Sequence, residues 1–179
     1  MPVSEQRLAE IRELSNDERV DRIDTSQFSD ADWERFHNEL NAETLAFCRD
    51  NRDPEELHAF ASTWNWDGGF EALEEITRNP ACERATALYI YWHGAPEWYR
   101  QYTDRDAVAE AKGDADLFDF LTRIETRYVA GEFALGSIAF DPTNADGEGG
   151  YSLVGSYDDI SGKFVRSLPP AMYEPIRLK

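Results

Sequence analysis

The sequence predicts a predominantly α-helical α+β fold: an antiparallel helical bundle carrying a small C-terminal antiparallel β-sheet or hairpin. Apolar residues recur at helical spacing through residues 1–131. One segment, "ATALYIYW", is apolar almost all round, as a central helix must be. Beyond residue 131 the chain turns to strand formers and glycine-rich loops. With 179 residues, 41% hydrophobic and 13% aromatic, a real core is affordable, and one domain over residues 1–179 is expected, with a helical part at 1–131 and a β-containing tail at 132–179.

Leu8, Ile11 and Leu14 form a thin apolar stripe among charges. Asp30 is placed to cap a helix whose inner face is Trp33, Phe36 and Leu40, and Leu45 and Phe47 suggest a further helical stretch. Asp53 and Pro54 give the clearest helix start, an N-cap followed by proline at the first helical position. Glu56, three residues on, has the spacing of a capping box. Leu57, Phe60, Ala61 and Trp64 then share one face. Phe70, Leu73 and Ile76 carry the next helix, stopped at Asn79–Pro80. The central helix runs from about Glu83 to His93, with Gly94 ending it. A short exposed helix ending at Gly113 follows. Then comes a long one with Leu117, Leu121, Ile124 and Tyr128 on its inner face, closed by Gly131. In the tail, "EFALGSIAF", "YSLVGSY" and "KFVRSL" read as strands, with "DDISG" a turn joining two of them.

Residues 63–70, "TWNWDGGF", fall between two of these helices with almost no spare residues. As a corner, Asn65 tolerates the left-handed conformation past a helix end, Asp67 caps the next helix, and Gly68 and Gly69 let the chain turn. As a pocket, Asn65 and Asp67 would face a cleft, joined by Thr86, a hydroxyl on an otherwise apolar helix. "NWDGGFEALEEITRNPACERATALYIYW" resembles the bacterial domain-of-unknown-function 4274 family over about residues 55–100. The resemblance rests on Asn65, Trp66, Asp67 and Gly69, then Asn79, Pro80 and Cys82, then Thr86, Ala87 and Leu88. Gly68 stands where the family pattern has a second Asp, which weakens any paired-carboxylate chemistry there. The resemblance implies no particular activity.

No catalytic signature is present. His37, His58 and His93 are scattered, with no metal-ligand spacing, and no metal or other cofactor is expected. Ser137 and Ser156 lack the second glycine of a nucleophile elbow. "PTNADGE" at 142–148 fails as a calcium loop, with Pro142 and Leu153 at ligand positions. Cys48 and Cys82 read as buried free thiols. The N-terminal stretch has no apolar core, so no secretory signal is expected, and cytoplasmic residence is the default.

The charge carries the functional expectation. Thirty-six acidic against 18 basic residues leave a net −18, which disfavours nucleic acid and anionic membrane and favours a basic protein partner. Asp104, Asp106, Glu110, Asp114, Asp116 and Asp119 crowd one span against only Arg105 and Lys112, and form the candidate partner-binding face. The expected function is that of a non-enzymatic, acidic inhibitory binding protein. An immunity protein neutralising a bacterial toxin by covering its surface or active site fits that description. The alternative is a small-molecule-binding domain or enzyme with a pocket at the corner around Asp67. A third reading is a scaffold whose acidity serves only solubility.

Overall fold

The computed structural model describes residues 3–16, 24 and 26–177. The chain divides into two compact units, Met1–Cys82 and Glu83–Lys179. The change of composition near residue 131 lies inside the second unit.

The first unit is made of four helices: α1 (Glu5–Ser15), α2 (Asp30–Asp50), α3 (Pro54–Thr63) and α4 (Glu71–Arg78). α1 packs on α3, and α2 on α4. Leu40, Cys48, Leu57, Phe60, Leu73 and Ile76 are buried between them. The start of α2 is set by Ser29, one residue before the expected Asp30. Its hydroxyl accepts from Asp32 N–H, and the Asp32 carboxylate accepts from Ser29 N–H. The helix then runs unbroken through Leu45 and Phe47 to Asp50, so no separate stretch begins there. Asp53 caps α3 as expected, accepting from Glu55 and Glu56 N–H. Glu56 does not close a capping box. Its carboxylate is drawn to the Arg7 guanidinium of α1, at 3.0 and 2.8 Å, and to the Asn51 amide at 2.8 Å. A bidentate charged pair outcompetes one backbone donor.

The second unit is built on α5 (Arg84–His93), α6 (Arg105–Glu110) and α7 (Ala115–Val129). α7 packs against both α5 and α6. In α5, Ala85, Thr86, Ala87, Leu88, Ile90, Tyr91 and Trp92 are all buried, as its all-round apolar sequence demands. Gly94 follows it against Leu121, where a Cβ would collide with the leucine methyls.

The expected C-terminal sheet or hairpin is absent: among the described residues there is no β-strand, only two isolated bridges, Glu83 with Ala134 and Phe140 with Ile176. "DDISG" is part of a 3-10 turn, Asp158–Lys163, and joins no strands. Residues 130–177 are an irregular wrap, pinned at intervals by Phe133, Ile138, Phe140, Leu153, Leu168 and Met172. These anchors lack the unbroken period-two alternation that a half-buried strand requires. In "KFVRSL", Val165 points to solvent and Phe164 lies under the Arg100 guanidinium, 4.0 Å from its ring centre.

Carboxylates do part of what a ladder would do. Glu83 accepts from Ser137 N–H at 3.2 Å and from Ile138 N–H at 3.0 Å. Gly136 leaves room for this, since a Cβ there would overlap the Glu83 carboxylate. Glu97 accepts from Gly155 N–H at 2.9 Å. Glu125 accepts from the Tyr91 hydroxyl at 2.6 Å and from Arg166 at 3.0 Å. All three glutamates are buried.

Candidate functional site

The acidic face is carried by α6, the loop after it, and the start of α7. Four of its six carboxylates have local tasks. Asp104 caps α6, accepting from Ala107 N–H at 3.0 Å, and that bond holds its carboxyl below the ordinary aspartate range. Asp114 caps α7, accepting from Asp116 and Leu117 N–H at 3.0 and 2.9 Å. Arg105 joins the two elements: its guanidinium pairs with Asp116 at 2.7 Å and with Asp119, and donates to Ala115 O at 3.0 Å. Lys112, at φ 58°, takes the left-handed turn that ends α6 and leads to Gly113.

Asp106 and Glu110 differ. Both are exposed, and neither carboxylate has a partner among the described residues. Four residues apart on α6, they sit on one face of the helix. Like charges at this spacing cost a helix about 0.2–0.5 kcal/mol, and no cation offsets them here. The structure therefore presents a fixed scaffold of four engaged carboxylates with two free ones displayed upon it.

The corner residues have different fates. α3 ends at Thr63, and a 3-10 turn, Trp66–Gly68, precedes α4. Asn65 is the capping residue: its side-chain oxygen accepts from Asp67 N–H at 3.1 Å. Its own backbone is extended, at φ −82°, and the left-handed position is Gly69, at φ 84°. Asp67 does not cap α4, which starts after Phe70 with no side-chain cap. Trp64 closes the corner by stacking on Phe60 at 5.3 Å and donating from its indole N–H to Gly69 O at 2.8 Å. Asn65 and Asp67 are exposed in the first unit, whereas Thr86 is fully buried in the second.

No group of three or more His, Cys, Asp or Glu side chains among the described residues could hold a metal ion. Cys48 and Cys82 are buried free thiols, and burial pushes the Cys48 thiol up. Burial also pushes His58 down to about 4. No helix among the described residues is long and apolar enough to cross a membrane.

Sequence reasoning missed the buried glutamates and a small cavity at the end of α5 bordered by Glu97. One signal was available: Glu125 lies four residues after Leu121, on the flank of the apolar face of α7. A charge there demands a buried partner. Glu83 and Glu97 carry no such local signal, because their partners lie more than fifty residues away.

Residues 52–129 match a family model described as a domain of unknown function, DUF4274. No curated protein and no solved structure matches the chain. The match is wider than the 55–100 stretch that carries the Asn-Trp-Asp, Asn-Pro-x-Cys and Thr-Ala-Leu elements. It takes in the corner, α5, and both helices of the acidic face, and stops short of the irregular wrap. Over residues 52–129 the chain is similar to the DUF4274 family.

Proposed function

We propose that the chain is an acidic inhibitory binding protein: an immunity protein that resides in the bacterial cytoplasm and neutralises a toxin by covering its surface or active site. It works by binding, not catalysis, and its partner is a basic protein docked on the α6–α7 face. The observation that carries this reading is the pair of unpartnered, exposed carboxylates, Asp106 and Glu110, on a scaffold whose other four acids are already engaged. The net charge of −18 supports it, by drawing a cationic partner and repelling nucleic acid and anionic lipid. A pocket at the helix corner has no comparable support, since Asn65 is occupied by its own turn and Thr86 is sealed inside α5.

The test is co-purification with the product of the adjacent gene, followed by association kinetics across a salt series. Association should slow as salt rises. Replacing Asp106 and Glu110 together by lysine should lower the low-salt association rate about tenfold, because rim charges act chiefly on the encounter. A rate indifferent to both salt and substitution, or no complex at all, would refute the proposal.

A further inference from the structure

The second unit carries a half-open cleft of about 200 Å³ at the C-terminal end of α5. Trp92, His93 and Glu97 line it from the helix end and the turn beyond, and Tyr151, Leu153 and Tyr157 line it from the irregular wrap. Ala95, also in the lining, sits at φ 57°, an unusual backbone for a residue with a Cβ. It takes the left-handed turn just past the C-cap of α5, as Lys112 does past α6.

The chemistry of the lining is one-sided. Glu97 is only 4% exposed. Burial raises its carboxyl above the ordinary glutamate range; the Gly155 and Tyr157 N–H groups and Arg100 oppose that, and Asp158 adds to it. Arg100 is itself occupied, donating to Arg166 O at 3.2 Å and lying over Phe164. His93, stacked on Tyr89 at 4.1 Å, is held by burial below its ordinary value, which favours the neutral imidazole. No lysine or arginine lines the cavity. An anion entering it would meet an incompletely compensated carboxylate and no countercharge. A neutral apolar ligand would desolvate Glu97 further. A cation would meet a lining of one carboxylate and three aromatic side chains, residue types that attract positive charge. Drug-sized ligands occupy roughly 300–1,000 Å³, so this smaller space suits a single head group.

We propose that the cleft between the end of α5 and the 151–157 loop binds a small organic ammonium ion, held by Glu97 and walled by Trp92, Tyr151 and Tyr157. The site is independent of the α6–α7 face, and neither proposal rests on the other.

Choline and its uncharged isostere 3,3-dimethylbutan-1-ol are the probes, titrated into the full chain by calorimetry with NMR mapping of the contacted residues. Choline should bind saturably, with shifts centred on Trp92, Glu97 and Tyr157, and about tenfold more tightly than the isostere, the worth of a desolvated cation on aromatic faces and a carboxylate. Glu97→Gln should abolish that preference. Glu97 also anchors Gly155, so Tyr151 provides a second test, being exposed and free of side-chain bonds among the described residues. Tyr151→Ala should weaken choline about threefold and Tyr151→Phe should restore it. No saturable choline binding, equal binding of both probes, or shifts away from this cleft would overturn the proposal.

Discussion

The two units satisfy their buried backbone by different means. In the first, the main buried fastening outside the helices is one neutral side chain. The Asn79 amide donates to Cys48 O at 2.8 Å, Arg49 O at 3.1 Å and Asn51 O at 2.8 Å. Its oxygen accepts from Ala81 N–H and from Arg52. Asn79 thus takes up orphan carbonyls at the end of α2 while ending α4. In the second unit, three buried carboxylates gather the irregular wrap. A helix satisfies its own interior and needs help only at its ends, with N–H groups at the N-terminus and carbonyls at the C-terminus. A non-helical segment without a sheet has N–H groups to satisfy, and these need acceptors. In a chain with 36 acidic residues, glutamate is the acceptor at hand.

That comparison can be broken or sharpened by substitution, taken from the largest effect down. Asn79→Ala orphans the buried Cys48 carbonyl, leaves Arg49 O and Asn51 O with Arg52 alone, and takes the acceptor from Ala81 N–H; it should cost about 3 kcal/mol in urea denaturation. A loss below about 1 kcal/mol would show that the clamp is incidental. Glu83→Ala should cost about 2 kcal/mol by leaving two N–H groups without their acceptor. Gly136→Ala acts on the same contact by displacing the carboxylate. The double variant should therefore cost less than the sum of the singles, whereas full additivity would separate the two sites. Arg166→Met should cost about 1–2 kcal/mol, since Glu125 keeps the Tyr91 hydroxyl but loses its cation.

The smallest effects concern pH, and they have opposite signs in the two units. In the first, Arg7 and then Asn51 hold the Glu56 carboxyl below its ordinary range. Its contribution is present above the unfolded value, near pH 4.3, and is lost as pH falls through the folded value. Glu56→Gln should thus destabilise at neutral pH and become neutral in acid. In the second, burial raises Glu97, so its charged form is penalised on folding. That penalty is relieved as pH falls through its folded value, which lies above about 4.3. Glu97→Gln should remove this gain. Denaturation midpoints from pH 7 downward check both, and slopes of the same sign would contradict the comparison.

The same contrast explains what the sequence makes legible. Helix signals are local, and Asp53–Pro54 or the apolar run of α5 is read within a few residues. At the start of α2 the error is one position, Ser29 in place of Asp30; at the corner Asn65 caps an intervening 3-10 turn, and α4, which Asp67 was expected to cap, has no side-chain cap. In both cases several cap-forming side chains stand side by side, and local hydrogen bonding alone chooses between them. The tail fails for another reason. Its strand formers suggest a ladder, but the bond from Ile138 N–H runs to Glu83, 55 residues back. Nothing within a strand-sized window reports that. The acidic span was legible as charge alone. Which of its carboxylates were free required the caps and Arg105 to be placed.

The second unit therefore holds acid in two settings, buried as fastening and exposed on the proposed docking face. The second use is tested most directly by toxicity relief. The adjacent gene product is expressed in cells with this chain, or with its Asp106→Lys, Glu110→Lys variant, after the variant's fold has been verified by circular dichroism. The proposed function predicts that the native chain restores growth and that charge reversal on α6 abolishes the protection. Failure of the native chain to protect, or undiminished protection by the folded variant, would contradict it.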